Sequence, residues 1–196
     1  MHESKIYHVN LYSDKSGIQM NIIRCKEIEG LIIIEPDIFR DERGYFLESF
    51  SAAKYEDICN TKFIQENESM SIYGVLRGLH FQHSPHAQAK LVRVVKGAIL
   101  DVAVDIREGS STYGKYFSIE LTEENKKIFF IPKGFAHGFV VLSQEAIFQY
   151  KCDNYYAPLS EGSIIWNDPT IAIDWKIPAS GIILSEKDRT APRLTK

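Results

Sequence analysis

Residues 78–90, GLHFQHSPHAQAK, set three histidines and a lysine in one short polar stretch between apolar segments, and PKGFAH places a further histidine at 137. Imidazoles grouped in this way serve one of three ends: they ligate a divalent metal, move protons near neutral pH, or face water in a loop. His83 and His86 follow the end of the apolar alternation and flank Ser84 and Pro85, both turn formers, so they read as loop residues in solvent. His80, Lys90 and His137 stand within or beside strand-like sequence. Two imidazoles and one ammonium suit removal of a proton beside a carbonyl, because histidine is the usual general base and a buried ammonium stabilises an enolate oxygen. A single histidine in a strand is equally well read as a hydrogen-bonded core residue, and for His137 that alternative stands.

These side chains need a scaffold, and the pattern around them is one of short strands. KLVRVVKGAILDVAVDIR alternates apolar and polar residues on both sides of Gly97, which predicts two strands joined as a hairpin. KYFSIEL, KKIFFIP, HGFVVLS, AIFQYKC and GSIIWN follow, rich in β-branched and aromatic residues and separated by turn formers such as TEEN and PKG. Helical periodicity is confined to SAAKYEDIC. Many short strands with few helices predict an all-β sandwich or barrel. The 196 residues are enough for one domain that buries roughly 70% of the surface of its unfolded chain. Residues 1–19 are polar and do not join the strand pattern after them, so they are expected to be an N-terminal extension ahead of a single domain over 20–196, with Met20 an alternative start.

Composition excludes several classes. With 23 basic against 26 acidic residues the net charge is −3, and no basic run offers a track for a phosphate backbone, so nucleic acid is not an expected partner. No apolar run approaches the ~20 residues of a spanning helix, and the N-terminus lacks the apolar core of a signal peptide. Cys25, Cys59 and Cys152 lie far apart without CxxC spacing, which fits a reducing, cytoplasmic setting, and the lack of a long apolar run leaves no membrane partner expected.

The spacing of His80, Gln82, Lys90 and Gly97, followed by Pro132, Gly134 and His137, resembles the two cupin motifs. In metal-binding cupins the corresponding histidines and a glutamate are ligands. Here Gln82 takes the place of one imidazole and Lys90 that of the carboxylate. An ammonium has no lone pair and brings positive charge where a divalent cation needs negative charge, so no metal is expected.

The longer strings EPDIFRDERGYFLESF, GVLRGLHFQ, AQAKLVRVVKGAILDVAVDIR, IPKGFAHGF, YKCDNYY and ILSEKD, in order from about Met20 to Asp188, closely resemble the dTDP-4-dehydrorhamnose 3,5-epimerase family. The resemblance implies a cupin jelly-roll barrel with short flanking helices, a homodimer, and a cofactor-free epimerase that inverts C3 and C5 of a dTDP-linked 4-keto-6-deoxy sugar. It implies His80 as the base, Asp188 as its carboxylate partner, Lys90 facing the C4 oxygen, and Tyr150 as the acid on the opposite face of the sugar. Substrate binding then falls to Arg43, Phe46, Glu48, Gln65, Asn67, Arg77, His137, Tyr156 and Lys187. Without the resemblance DERG reads as an exposed charged turn, Tyr150 as a core tyrosine and Asp188 as a surface carboxylate. QENES departs from the family's commoner form at Glu66 and Glu68.

Overall fold

A computed structural model describes residues 7–13 and 19–195, including all their side chains but those of 7–9. In chain order the elements are β1 (Tyr7–Ser13), β2 (Gln19–Cys25), β3 (Ile32–Pro36), β4 (Phe39–Asp41), β5 (Gly44–Phe46), α1 (Ala52–Cys59), β6 (Gln65–Ile72), β7 (Leu76–Gln82), β8 (Lys90–Lys96) and β9 (Ala98–Asp105). Then come β10 (Tyr116–Thr122), β11 (Ile128–Ile131), β12 (Phe135–Val141), β13 (Glu145–Cys152), β14 (Glu161–Ser163) and α2 (Glu186–Arg189). A seven-stranded sheet in the order β1-β2-β3-β11-β8-β13-β6 packs against a five-stranded sheet, β10-β9-β12-β7-β14, while β4 and β5 pair only with each other. This is the expected all-β cupin jelly roll.

The expected hairpin around Gly97 is corrected. β8 pairs with β11 and β13 in one sheet, and β9 pairs with β10 and β12 in the other. Gly97, at φ +78°, turns the chain across the barrel, and a Cβ there would lie 2.1 Å from the Glu145 carbonyl oxygen. Alternation shows which residues share a face but not which strand lies alongside. Within the stretch read as an N-terminal extension, Tyr7–Ser13 pairs residue by residue with Gln19–Cys25 and so continues the larger sheet; residues 1–6 and 14–18 lie outside the described part.

Three apolar layers hold the barrel. Val92, Val94, Phe129 and Phe148 of the larger sheet meet Ala103, Phe117, Phe139 and Val141 of the smaller one in the interior. Outside the larger sheet, Ile22, Ile34, Leu91 and Phe130 pack on Tyr55, Ile58 and Cys59 of α1. Outside the smaller sheet, Leu76, Leu100, Val102 and Val140 are covered by Ile164, Ile171 and Trp175. Both faces of β9 and β12 are therefore buried, and their sequences run almost continuously apolar instead of alternating. α1 begins after Ser51 in extended conformation and ends at Asn60 in the left-handed conformation, the usual way for a short side chain to stop a helix.

One irregularity matters to the site. Between β7 and β12, His137 pairs with His80 and Phe139 pairs with Arg77, so two residues on β7, Gly78 and Leu79, oppose one on β12, Gly138. This bulge allows Arg77 and His80, three positions apart, to line the same cleft, which strict alternation forbids. It requires two glycines face to face: a Cβ on Gly78 would stand 2.5 Å from the Gly138 Cα, and one on Gly138 would stand 2.8 Å from the Arg77 carbonyl oxygen.

Candidate active site

His80 projects from β7 in the smaller sheet and Tyr150 from β13 in the larger, so the two come from opposite walls of the barrel. Both, with Lys90, line two lobes of a cleft. The larger, about 440 Å³, also takes in Arg77, His137, Ser185 and Asp188. The smaller, about 300 Å³, takes in Gln65, Asn67, Gln88, Tyr156 and Glu161.

His80 Nε2 lies 2.6 Å from Asp188 Oδ1. Asp188, read without the resemblance as a surface carboxylate, is only 3% exposed. Burial alone would raise its pKa, but hydrogen bonds from His80 and Ser185, and from the backbone N–H of Gly78, together hold it below the usual carboxylate range. The carboxylate thus stays charged beside the imidazole.

A second pair lies deeper. His137 Nε2 is 3.0 Å from Asp101 Oδ2, and Asp101 is wholly buried. Burial lowers the pKa of His137, with Asp101 opposing, so the ring leans towards its neutral form. The two readings of His137 meet in one residue: it is a hydrogen-bonded core histidine whose ring lines the larger lobe. Sequence reading did not single out Asp101, although a carboxylate in the middle of the apolar run AILDVAV signals a buried partner.

Lys90 is desolvated by burial, which lowers its pKa, while Cys152, Asp101 and Glu161 pull the other way. Burial raises the Tyr150 phenol, so at neutral pH it carries its proton. Gln82, at the position of a metal-binding imidazole, directs its amide elsewhere: Nε2 donates to the carbonyls of His86 at 2.6 Å and Tyr155 at 3.2 Å, and Oε1 accepts the Ala157 N–H at 2.8 Å. It clamps the loop after β7 to the loop that carries Tyr156. His83 packs edge-on against Phe81 and His86 is exposed, as expected of a loop.

Of the residues assigned to substrate binding, Arg77 and His137 line the larger lobe and Gln65, Asn67 and Tyr156 the smaller. Arg77 Nε donates to Ser71 Oγ at 3.1 Å. The Tyr156 hydroxyl donates to Glu161 Oε2 at 3.1 Å, and Lys187 pairs with Glu161 Oε1 at 2.5 Å, so Glu161 links two of the expected residues without having been singled out. Arg43, Phe46 and Glu48 do not line the cleft of their own chain. Arg43 pairs with Asp41 on the β4–β5 hairpin, Phe46 is 64% exposed, and Glu48 pairs with Lys54 of α1.

A profile of the dTDP-4-dehydrorhamnose 3,5-epimerase family matches residues 25–196. The dTDP-4-dehydrorhamnose 3,5-epimerase of Escherichia coli K12 is 54% identical over 171 residues, covering 86% of this chain and 91% of its own length. That of Methanothermobacter thermautotrophicus is 52% identical over 164 residues, covering 83% and 88%. A crystal structure of the Legionella pneumophila dTDP-6-deoxy-D-glucose-3,5-epimerase in complex with dTDP-4-keto-L-rhamnose is 46% identical, with a TM-score of 0.81, covering 96% of this chain and all of that one.

Proposed function

The chain belongs to the dTDP-4-dehydrorhamnose 3,5-epimerase family, and from this we infer that it converts dTDP-4-keto-6-deoxy-D-glucose to dTDP-4-keto-L-rhamnose by inverting C3 and C5. Both carbons are α to the C4 ketone, so loss of either proton gives an enolate whose charge rests on the C4 oxygen. His80 removes the proton, and the ring becomes an imidazolium held by Asp188. Lys90 faces the enolate oxygen. Tyr150 returns a proton from the other side, since a single group acting as both base and acid would restore the original configuration.

The observation that carries this reading is that His80 and Tyr150 stand on opposite sheets and line one cleft, the first paired to a buried carboxylate and the second held in its protonated form. Arg77, Gln65, Asn67, Tyr156, Lys187 and His137 bind the dTDP-sugar. A guanidinium such as Arg77 suits the diphosphate because its planar fork matches phosphate oxygens. The exposed β4–β5 hairpin, with Arg43 and Phe46, supports a homodimer in which the hairpin of each chain completes the cleft of the other. Residues 20–196 form the catalytic domain, and the stretch before Met20 adds a strand to it.

Incubation with dTDP-4-keto-6-deoxy-D-glucose in D2O tests the reading. Deuterium at both C3 and C5 is expected. Label at one carbon alone would reduce the activity to a mono-epimerase, and absence of label would remove proton transfer on this sugar.

A further inference from the structure

We propose that Ser185 is a positioning residue for the His80–Asp188 pair, holding the carboxylate in the orientation that keeps one of its oxygens on the imidazole. The inference rests on the epimerase reading, because it assigns a role in the proton transfer at His80. Ser185 Oγ donates to Asp188 Oδ2 at 2.7 Å, while Asp188 Oδ1 lies 2.6 Å from His80 Nε2. The Ser185 hydroxyl oxygen also accepts the backbone N–H of Asp188 at 3.2 Å, because Ser185 caps the N-terminus of α2. The same hydroxyl therefore grips Asp188 at both its backbone and its side chain.

This double hold has a physical purpose. α2 is a single short turn near the end of the chain, from Glu186 to Arg189. Such a turn has little stability of its own, yet Asp188 must present one oxygen to His80. A carboxylate buried with one oxygen unpaired would be free to rotate, or would lose charge through desolvation. The hydroxyl supplies the second oxygen with a donor, and the backbone N–H of Gly78 supplies a further one. Gly78 and His80 both lie on β7, so the carboxylate is tied to the strand that bears the base as well as to its own turn. Ser185 also lines the larger lobe, beside His80 and Asp188.

The test compares wild type, Ser185→Ala and Ser185→Thr in the D2O exchange reaction, together with the proton NMR resonance of the His80 ring N–H shared with Asp188. Ser185→Ala should lower kcat about tenfold, the change expected from one lost hydrogen bond to a charged group, with KM little altered. The shared ring proton should shift upfield or broaden. Ser185→Thr keeps a hydroxyl and should restore both readouts. A loss in Ser185→Ala that Thr does not rescue, a fall expressed in KM alone, or an unchanged ring resonance would overturn the assignment and leave Ser185 a helix cap only. Failure of the wild-type enzyme to exchange any proton would instead refute the epimerase reading, so the two failures are distinguishable.

Discussion

At the scale of single residues, His80 is the proposed base. If the imidazole acts on the sugar protons and not on the nucleotide, as proposed, His80→Ala should lose at least about 10²-fold in turnover, the lower range for removing a positioned general base. Titration calorimetry should meanwhile give nearly unchanged dTDP affinity. Turnover close to wild type would move the base to another group, with His137 the next candidate. That His80, Lys90 and His137 lie together was legible because their types and spacing fall into a recognisable motif, the resemblance added Tyr150 and Asp188, and all five line one cleft. Asp101, Glu161 and Ser185 were not legible. Asp101 matters through His137, 36 positions away, and Glu161 through Lys187, pairings that no local pattern encodes, while Ser185 sits only three positions before Asp188 and its part in the site depends on where the fold brings that carboxylate.

At the scale of elements, alternation and turn chemistry foretold most strands, and the runs after Gly97 lie close to their expected places, except that of GSIIWN only Gly162 and Ser163 are in a strand, β14, and Ile164 instead packs on the smaller sheet. Their partners were not foretold. The supposed hairpin proved to be a crossing between sheets, and the bulge that brings Arg77 beside His80 depends on two glycines meeting across strands. The end of β9 carries a prediction of its own. Asp105 is fully buried and accepts hydrogen bonds from Arg107, Ser110 and Thr112. Burial alone would raise its pKa, but those bonds outweigh burial and hold it well below the ordinary carboxylate value. Because the folded pKa lies below the unfolded one, its stabilisation is fully present above the ordinary carboxylate pKa and fades as pH falls through the folded value. Asp105→Ala should therefore cost about 3 kcal/mol at neutral pH, the scale of breaking a buried ion pair. The variant should also lose less further stability than wild type on acidification. Urea unfolding at neutral and acidic pH measures both, and parallel losses in the two proteins would show that Asp105 is not the group responsible.

At the scale of the whole molecule, the exposed β4–β5 hairpin is the feature that one chain does not account for. Phe39, Tyr45 and Phe46 are each more than half exposed, while Tyr45 is fastened to Lys126 by a 2.8 Å hydrogen bond, so the hairpin is held out in a defined place. If it completes the cleft of a second copy, Arg43→Ala and His80→Ala should each be impaired alone. Co-expressed and purified as mixed dimers, they should regain activity, because a chain with intact His80 then receives an intact Arg43. Light scattering should report two chains per particle. A monomer, or mixed samples no more active than the single variants, would confine the site to one chain.

In the proposed mechanism a base and an acid on opposite sheets act on opposite faces of the sugar. Tyr150→Phe removes only the phenol hydroxyl, and comparing its deuterium incorporation with its product formation in D2O tests that claim most directly. Abstraction at His80 should continue, since an enolate held by Lys90 can regain a deuteron from the face it left, so label enters with the original configuration retained while inversion is strongly suppressed. Inversion at the wild-type rate in Tyr150→Phe would contradict the account and assign the acid to a different group.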